Sequence, residues 1–245
     1  MILFLTSSPC DDNVPEGVDL PCIFFKRNGF VANLQEAVAP GARCVIIASW
    51  PEDHVHNDEM ADTFAGCFAY DGMELSDMTV IDSRTADRAA ELIFAADVVI
   101  LAGGHVPTQN AFFASIGLRE IMHQYEGVVM GISAGSMNAA DVVYAQPEEP
   151  GEAIDPEYQR FIPGLGLTNI NVLPHYQMVK DNILDGMRLY EDITFADSED
   201  NFFFVLTDGS YIVQQEEGAE LFGEAYVIRD GVMGQICEDG ESIGL

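Results

Sequence analysis

The ten residues Met130-Gly131-Ile132-Ser133-Ala134-Gly135-Ser136-Met137-Asn138-Ala139 carry the most chemical information in the chain. Gly131-Ile132-Ser133-Ala134-Gly135 fits G-x-S-x-G, a tight strand-to-helix turn that lifts a serine hydroxyl out of the fold. A serine hydroxyl needs a general base before it becomes a good nucleophile, and an oriented imidazole is the usual base. Five histidines compete for that role. His54 and His56 sit in the polar loop Trp50–Asp58, His123 in a surface helix, and His105 after a glycine pair. His175, in Leu173-Pro174-His175-Tyr176, is the only histidine after Ser133 and stands where a strand ends.

A third group must accept a hydrogen bond from the imidazole and offset its positive charge. Asp141 lies about two turns down the helix expected after Ser133 and points away from the strand ends. The proline-bounded segment after that helix offers Glu148, Glu149, Glu152 and Asp155, and spacing alone leaves all four open. A second glycine turn, Leu101-Ala102-Gly103-Gly104-His105, lets backbone N–H groups approach a substrate closely. One of them can complete an oxyanion hole with the N–H of Ala134. The turn lacks G-x-G-x-x-G, and the chain has no P-loop lysine motif. His54-Val55-His56 with Asp53 and Asp58 has no HExxH or cysteine pair beside it, so no metal site is expected.

The elements that must hold these groups follow from hydrophobic periodicity. Met1–Thr6, Arg43–Ser49, Met78–Ile81, Val98–Ala102, Val128–Ile132 and Asn169–Leu173 read as buried strands. Val31–Val38, Glu59–Tyr70, Ala86–Ala95, Gln109–Ile116 and Met137–Tyr144 have apolar spacing near that of a helix, and a further helix is expected over Met178–Asp192. Apolar strands alternating with helices imply an α/β fold with a mostly parallel sheet covered on both faces. Functional groups gather at the carboxyl ends of such strands. Phe202–Leu206, Tyr211–Gln215, Ala225–Arg229 and Val232–Ile236 then read as an antiparallel meander, with Asp208-Gly209 and Asp230-Gly231 as hairpin turns. No repeat or long linker divides the 245 residues, so one catalytic domain over 1–245 is expected, with the meander extending the sheet edge.

Composition removes whole classes of partner. Forty-one acidic against ten basic residues give a formal charge of −31, which repels nucleic acid phosphates and anionic membranes. No apolar run approaches a membrane span. Met1–Leu5 lacks a basic flank and reads as a first strand, not a signal peptide. Five cysteines without a CxxC pair are most simply reduced thiols in a cytoplasmic protein. Because cations are scarce, any Arg or Lys near the serine is a candidate ligand for substrate, and Arg160, Lys180 and Arg188 follow the acid segment.

Taken together, Ala102-Gly103-Gly104 after a buried strand, Gly131-Ile132-Ser133-Ala134-Gly135 and Pro174-His175-Tyr176 resemble the peptidase E family of serine peptidases. This family comprises aspartyl dipeptidases and cyanophycinases on a fold like the class I glutamine amidotransferase domain. The resemblance implies Ser133 as nucleophile, His175 as base, and Gly104 with Ala134 as oxyanion donors, with no cofactor. It places the third member after the elbow helix, where Glu148 matches best. It also implies a small substrate, either peptides beginning with aspartate or β-linked aspartyl polymers, and makes Arg188 the first choice for the substrate carboxylate. The family often carries Asn after the glycine pair, where this chain has His105 and one extra residue before Gln109, so His105 joins the candidate substrate contacts. The expected activity is therefore an Asp-X dipeptidase acting through an acyl-enzyme. A cyanophycinase-like β-aspartyl peptidase and a non-enzymatic amidotransferase-like binding domain are the alternatives. An α/β-hydrolase esterase shares the elbow, but such folds usually carry the histidine near the C-terminus, whereas 70 residues follow His175.

Overall fold

The computed structural model describes residues 1–245. Five parallel strands form its centre: β1 (Ile2–Thr6), β2 (Arg43–Ile47), β3 (Asp77–Ile81), β4 (Val98–Leu101) and β5 (Val128–Ile132). They lie in the order β1-β5-β4-β2-β3. Period-2 alternation sends their side chains to two separate cores. Leu3, Leu5, Val45, Ile47, Val99, Leu101 and Val129 enter one, and Phe4, Cys44, Ile46, Val98, Ile100, Val128 and Met130 the other. Burial on both faces is why these strands carry continuous apolar runs. Helices α1 (Phe30–Ala37), α2 (His54–Tyr70), α3 (Ala89–Ala95), α4 (Val106–Ser115), α5 (Leu118–Met122) and α6 (Ala134–Asn138) connect and cover them. The expected α/β architecture is thus present, and strand boundaries read from sequence fall within two residues of those observed for all five strands.

Six expectations need correction. Helix α6 ends at Asn138 instead of continuing to Tyr144. Val142–Tyr144 is instead a strand paired with Phe161–Pro163, as its β-branched residues favour. The segment 178–192 is not one helix. A short helix, Tyr176–Val179, gives way to a tight hairpin, Ile183–Leu184 against Met187–Arg188. Asp185 (φ 51°) and Gly186 (φ 83°) turn the chain there, and a π-helical turn over Leu189–Thr194 follows.

Asn169–Leu173 contributes only Val172–Leu173, and it does not join the parallel sheet. The free edge of β1 is taken by Tyr211–Gln215, running antiparallel. Val172–Leu173 therefore pairs with Phe202–Leu206 in a second, four-stranded sheet completed by Ala225–Arg229 and Val232–Cys237. The C-terminal strands are split between two sheets: Tyr211–Gln215, Gly218–Phe222 and Ser242–Gly244 extend the central one. Asp230-Gly231 does close a hairpin, with Arg229 opposite Val232. Asp208-Gly209 closes none, because the strands on either side of it belong to different sheets. His54 and His56 lie in the first turn of α2, capped by Asp53, and not in a loop.

Candidate active site

β5 ends in the elbow, where Ser133 has φ 51° and ψ −112°, a conformation that L-residues rarely adopt. The surrounding contacts hold it there. The Ser133 N–H is shared between the carbonyls of Thr6 (3.1 Å) and Ser7 (3.0 Å) at the end of β1. The Ser136 hydroxyl donates to the same Thr6 carbonyl at 2.8 Å. The flanking glycines are required by close approach. A Cβ on Gly135 would lie 2.1 Å from the Leu101 carbonyl oxygen, and one on Gly131 would lie 2.7 Å from the Ser136 nitrogen.

The second glycine turn, after β4, faces the same space. Gly104 has φ +151°, and a Cβ there would meet Ser49 Cβ at 2.5 Å. A buried amide network fixes this turn. Gln109 Nε2 donates to Ser49 Oγ (2.7 Å) and to the Ala102 carbonyl (2.6 Å). Asn138 Nδ2 donates to Gln109 Oε1 (2.9 Å) and to the Val106 carbonyl (3.1 Å). Gln109 and Asn138 are fully buried, so their amides are tied to these partners and not to water.

His175 follows Val172–Leu173 in a left-handed conformation (φ 59°, ψ 28°). Its Nε2 lies 2.8 Å from Ser133 Oγ and its Nδ1 lies 2.7 Å from Asp208 Oδ1. The carboxylate on Nδ1 fixes the neutral tautomer with hydrogen on Nδ1, which leaves Nε2 free to accept the serine proton. Asp208 is held in turn by Ser7 Oγ (2.6 Å) and Gln177 Nε2 (2.5 Å). Ser7 Oγ also accepts the His175 backbone N–H at 2.7 Å. Burial alone would raise the Asp208 pKa, but the hydrogen bonds and charge of His175, with Ser7 and Gln177, outweigh it and hold the carboxyl below its ordinary value.

Asp208 therefore stands where Glu148 was expected. The four sequence candidates sit elsewhere. Glu152 accepts the N–H groups of Glu148 (2.8 Å) and Glu149 (2.9 Å) on one oxygen and meets His105 Nε2 at 2.8 Å on the other. With its Nδ1 2.8 Å from Thr108 Oγ1, His105 clips the acid loop to the start of α4. Glu149 and Asp155 are exposed. Glu148 is exposed as well, at the rim of the cavity beside Ser133. Desolvation of its carboxyl there raises its pKa; His105 opposes that rise and the Glu152 charge adds to it.

The cavity has a volume near 360 Å³ and is walled by Gly104, Ser133, Gln146, Glu148, His175 and Asn182, with Ile183, Leu184 and Leu189 among its apolar residues. No lysine or arginine lines it. Arg188 lies on the exposed hairpin, with its guanidinium on Asp192 at 3.0 and 2.6 Å. Arg160 is paired with Asp197 at 2.6 Å, and Lys180 is exposed. None of the three is placed to grip a substrate carboxylate beside Ser133.

Two functional candidates escaped the sequence reading. Asp208 sits in Thr207-Asp208-Gly209, whose composition is that of a hairpin turn. Ser7 is one of two serines after β1. The available signal was that both lie just past strand ends.

An α/β fold that exposes a serine on a strand–turn–helix elbow, against a histidine–aspartate pair, defines a hydrolase of the nucleophilic-serine class. The model for peptidase family S51 matches residues 47–222. The chain belongs to that family and is a serine peptidase of the peptidase E and cyanophycinase kind. A crystal structure of a candidate peptidase E protein from Listeria monocytogenes EGD-e shares the fold, with a TM-score of 0.58 and 14% identity. The match covers 96% of this chain and 98% of that one. No curated protein sequence matches the chain. No helix is long and apolar enough to cross a membrane.

Proposed function

We propose that the protein hydrolyses short peptides through an acyl-enzyme formed on Ser133, with His175 as base and Asp208 as the carboxylate that orients it. The observation that carries this reading is the continuous line Ser133 Oγ–His175 Nε2 (2.8 Å) and His175 Nδ1–Asp208 Oδ1 (2.7 Å). Ser133 Oγ attacks the scissile carbonyl carbon as its proton passes to His175 Nε2. The negative oxygen formed is stabilised by the backbone N–H groups of Gly104 and Ala134. Collapse of this intermediate expels the peptide amine, which takes the proton from His175. A water then reverses the sequence and releases the acid.

The cavity wall bears on the substrate. A carboxylate on a cavity wall that carries no lysine or arginine suits a substrate that brings a positive charge, and the free amine of a short peptide is the simplest such group. In this reading Glu148 binds the substrate amine. An Asp-X dipeptide supplies that amine, and its own carboxylate would be met by Gln146, Asn182 or backbone N–H groups, with no part for Arg188. A β-linked aspartyl peptide with a free amine fits the same wall.

Labelling with a fluorophosphonate tests the nucleophile: wild type should be labelled on Ser133, and Ser133→Ala should show neither labelling nor turnover. Loss of a triad serine costs on the order of a millionfold in turnover. A panel of Asp-X dipeptides with free and acetylated amines tests the substrate class, and the acetylated set should react poorly. Wild-type turnover in Ser133→Ala would remove the acyl-enzyme. Equal rates on both peptide sets would remove the role of Glu148.

A further inference from the structure

Three of the five cysteines, far apart in sequence, meet in space. Cys10 begins a short strand that pairs with Ile23–Phe24, Cys22 directly precedes that partner strand, and Cys67 sits within α2. Their Sγ atoms all lie within 4.8 Å of one another, and Cys22 and Cys67 are 3.9 Å apart. A disulfide would require about 2.05 Å, so these are three free thiols. Phe24, Phe64 and Phe68 belong to the same apolar cluster, which also contains Cys22 and Cys67.

A lone buried thiol packs as a small hydrophobe. Three converging from separate elements form a ligand set. Zinc–sulfur bonds of about 2.3 Å in a tetrahedron place sulfurs about 3.8 Å apart, close to the separation of Cys22 and Cys67. Neither histidine nor carboxylate belongs to the cluster, so the donors are all soft and select a thiophilic ion. Charge then favours a divalent one. Three thiolates leave a net −2 on a monovalent ion but −1 on a divalent ion. Cys10 is only partly buried and lines the cleft that also contains Ser8 and Lys26, which gives an ion an approach and a fourth position for water.

We propose that Cys10, Cys22 and Cys67 form a three-thiolate site for a thiophilic divalent cation, with Zn²⁺ as its occupant. Binding breaks three S–H bonds, forms three metal–sulfur bonds and releases three protons to solvent, so affinity rises with pH. Ser7, which holds both Asp208 and the His175 backbone, lies three residues before Cys10. The ion would therefore anchor to α2 the segment that supports the catalytic pair.

The test uses the full reduced chain and two probes. Zn²⁺ is titrated by calorimetry, and Cd²⁺ by the ultraviolet charge-transfer absorption that only thiolate ligation produces. One ion per chain with a thiolate band is expected. Cys10→Ser, partly exposed and so compatible with folding, should weaken binding by more than the roughly 10–100-fold that loss of an outer-shell partner costs. Cys22→Ser should do the same, while Cys44→Ser or Cys237→Ser should leave binding unchanged. Absence of Zn²⁺ uptake, a Cd²⁺ complex without the thiolate band, or equal affinity in Cys10→Ser and wild type would overturn the site. Uptake of Cu⁺ alone would overturn its divalent character.

Discussion

The assignment of the orienting carboxylate separates two acids that composition makes equivalent. Asp208 touches the imidazole, whereas Glu148 faces the substrate cavity. Asp208→Ala should lower kcat about ten-thousandfold, the usual cost of losing the group that fixes a catalytic histidine. Glu148→Gln should act mainly on KM for free-amine peptides, and steady-state kinetics on the two variants would distinguish the roles. A larger kcat loss in Glu148→Gln than in Asp208→Ala would reverse the assignment. The Glu148 carboxyl also carries a stability signature. Its folded pKa is raised, so the ionised group destabilises the fold above that pKa, and the penalty vanishes below its unfolded value near about 4.3. Because Glu148 is exposed, the effect is small: Glu148→Gln should raise Tm slightly at neutral pH, with the gain disappearing as pH falls through the carboxylate range. A Tm loss at neutral pH would contradict the desolvation argument. The proposed nucleophile Ser133 and base His175 were legible as candidates because a local turn motif and a strand end mark them. Asp208 was not, because its partner lies 33 residues away and only tertiary packing tells an aspartate paired with a histidine from a turn aspartate.

Elements read well where periodicity had one answer. The four inner parallel strands are apolar on both faces, and no other structure buries such runs so completely. The segment 178–192 misled because its apolar residues fit a helical spacing, while the turn at Asp185-Gly186 breaks it. That hairpin contributes Ile183 and Leu184 to the cavity wall, so the misread element shapes the candidate substrate site. The elbow allows a sharper statement. An added methyl at Gly135 would collide with backbone of β4 and not with a movable side chain. Gly135→Ala should therefore cost at least the ~1–3 kcal/mol typical of overpacking and displace Ser133. Thermal unfolding with fluorophosphonate labelling would show a lower Tm and slower labelling together. Gly151→Ala offers a control for space alone, since nothing lies within 4 Å of its added Cβ, although its φ of +101° carries some strain. An unaltered labelling rate in Gly135→Ala would show that the elbow can relax without moving its serine.

The charge distribution sets how the folded chain responds to salt. Eight of the ten basic residues already pair with carboxylates, from Lys26 with Asp71 to Arg229 with Asp230. Most of the 41 acids therefore have no cation beside them, and the folded state concentrates a net charge of −31. Two effects of added salt oppose each other. Screening weakens the exposed ion pairs, each worth about 0–1 kcal/mol, and it also relieves repulsion among the surplus carboxylates. The second should prevail because repelling pairs far outnumber attracting ones. The screening length falls from about 30 Å at 0.01 M to about 3 Å at 1 M, so Tm should climb steeply across the lower part of that range and flatten once repulsion is screened. Repeating the series near pH 4.5, where part of the carboxylate population is protonated, should give a smaller rise. Sodium chloride and potassium chloride should act alike if screening is the cause. A Tm that falls with salt at neutral pH would mean that the few ion pairs, and not the acidic excess, govern the stability of this surface.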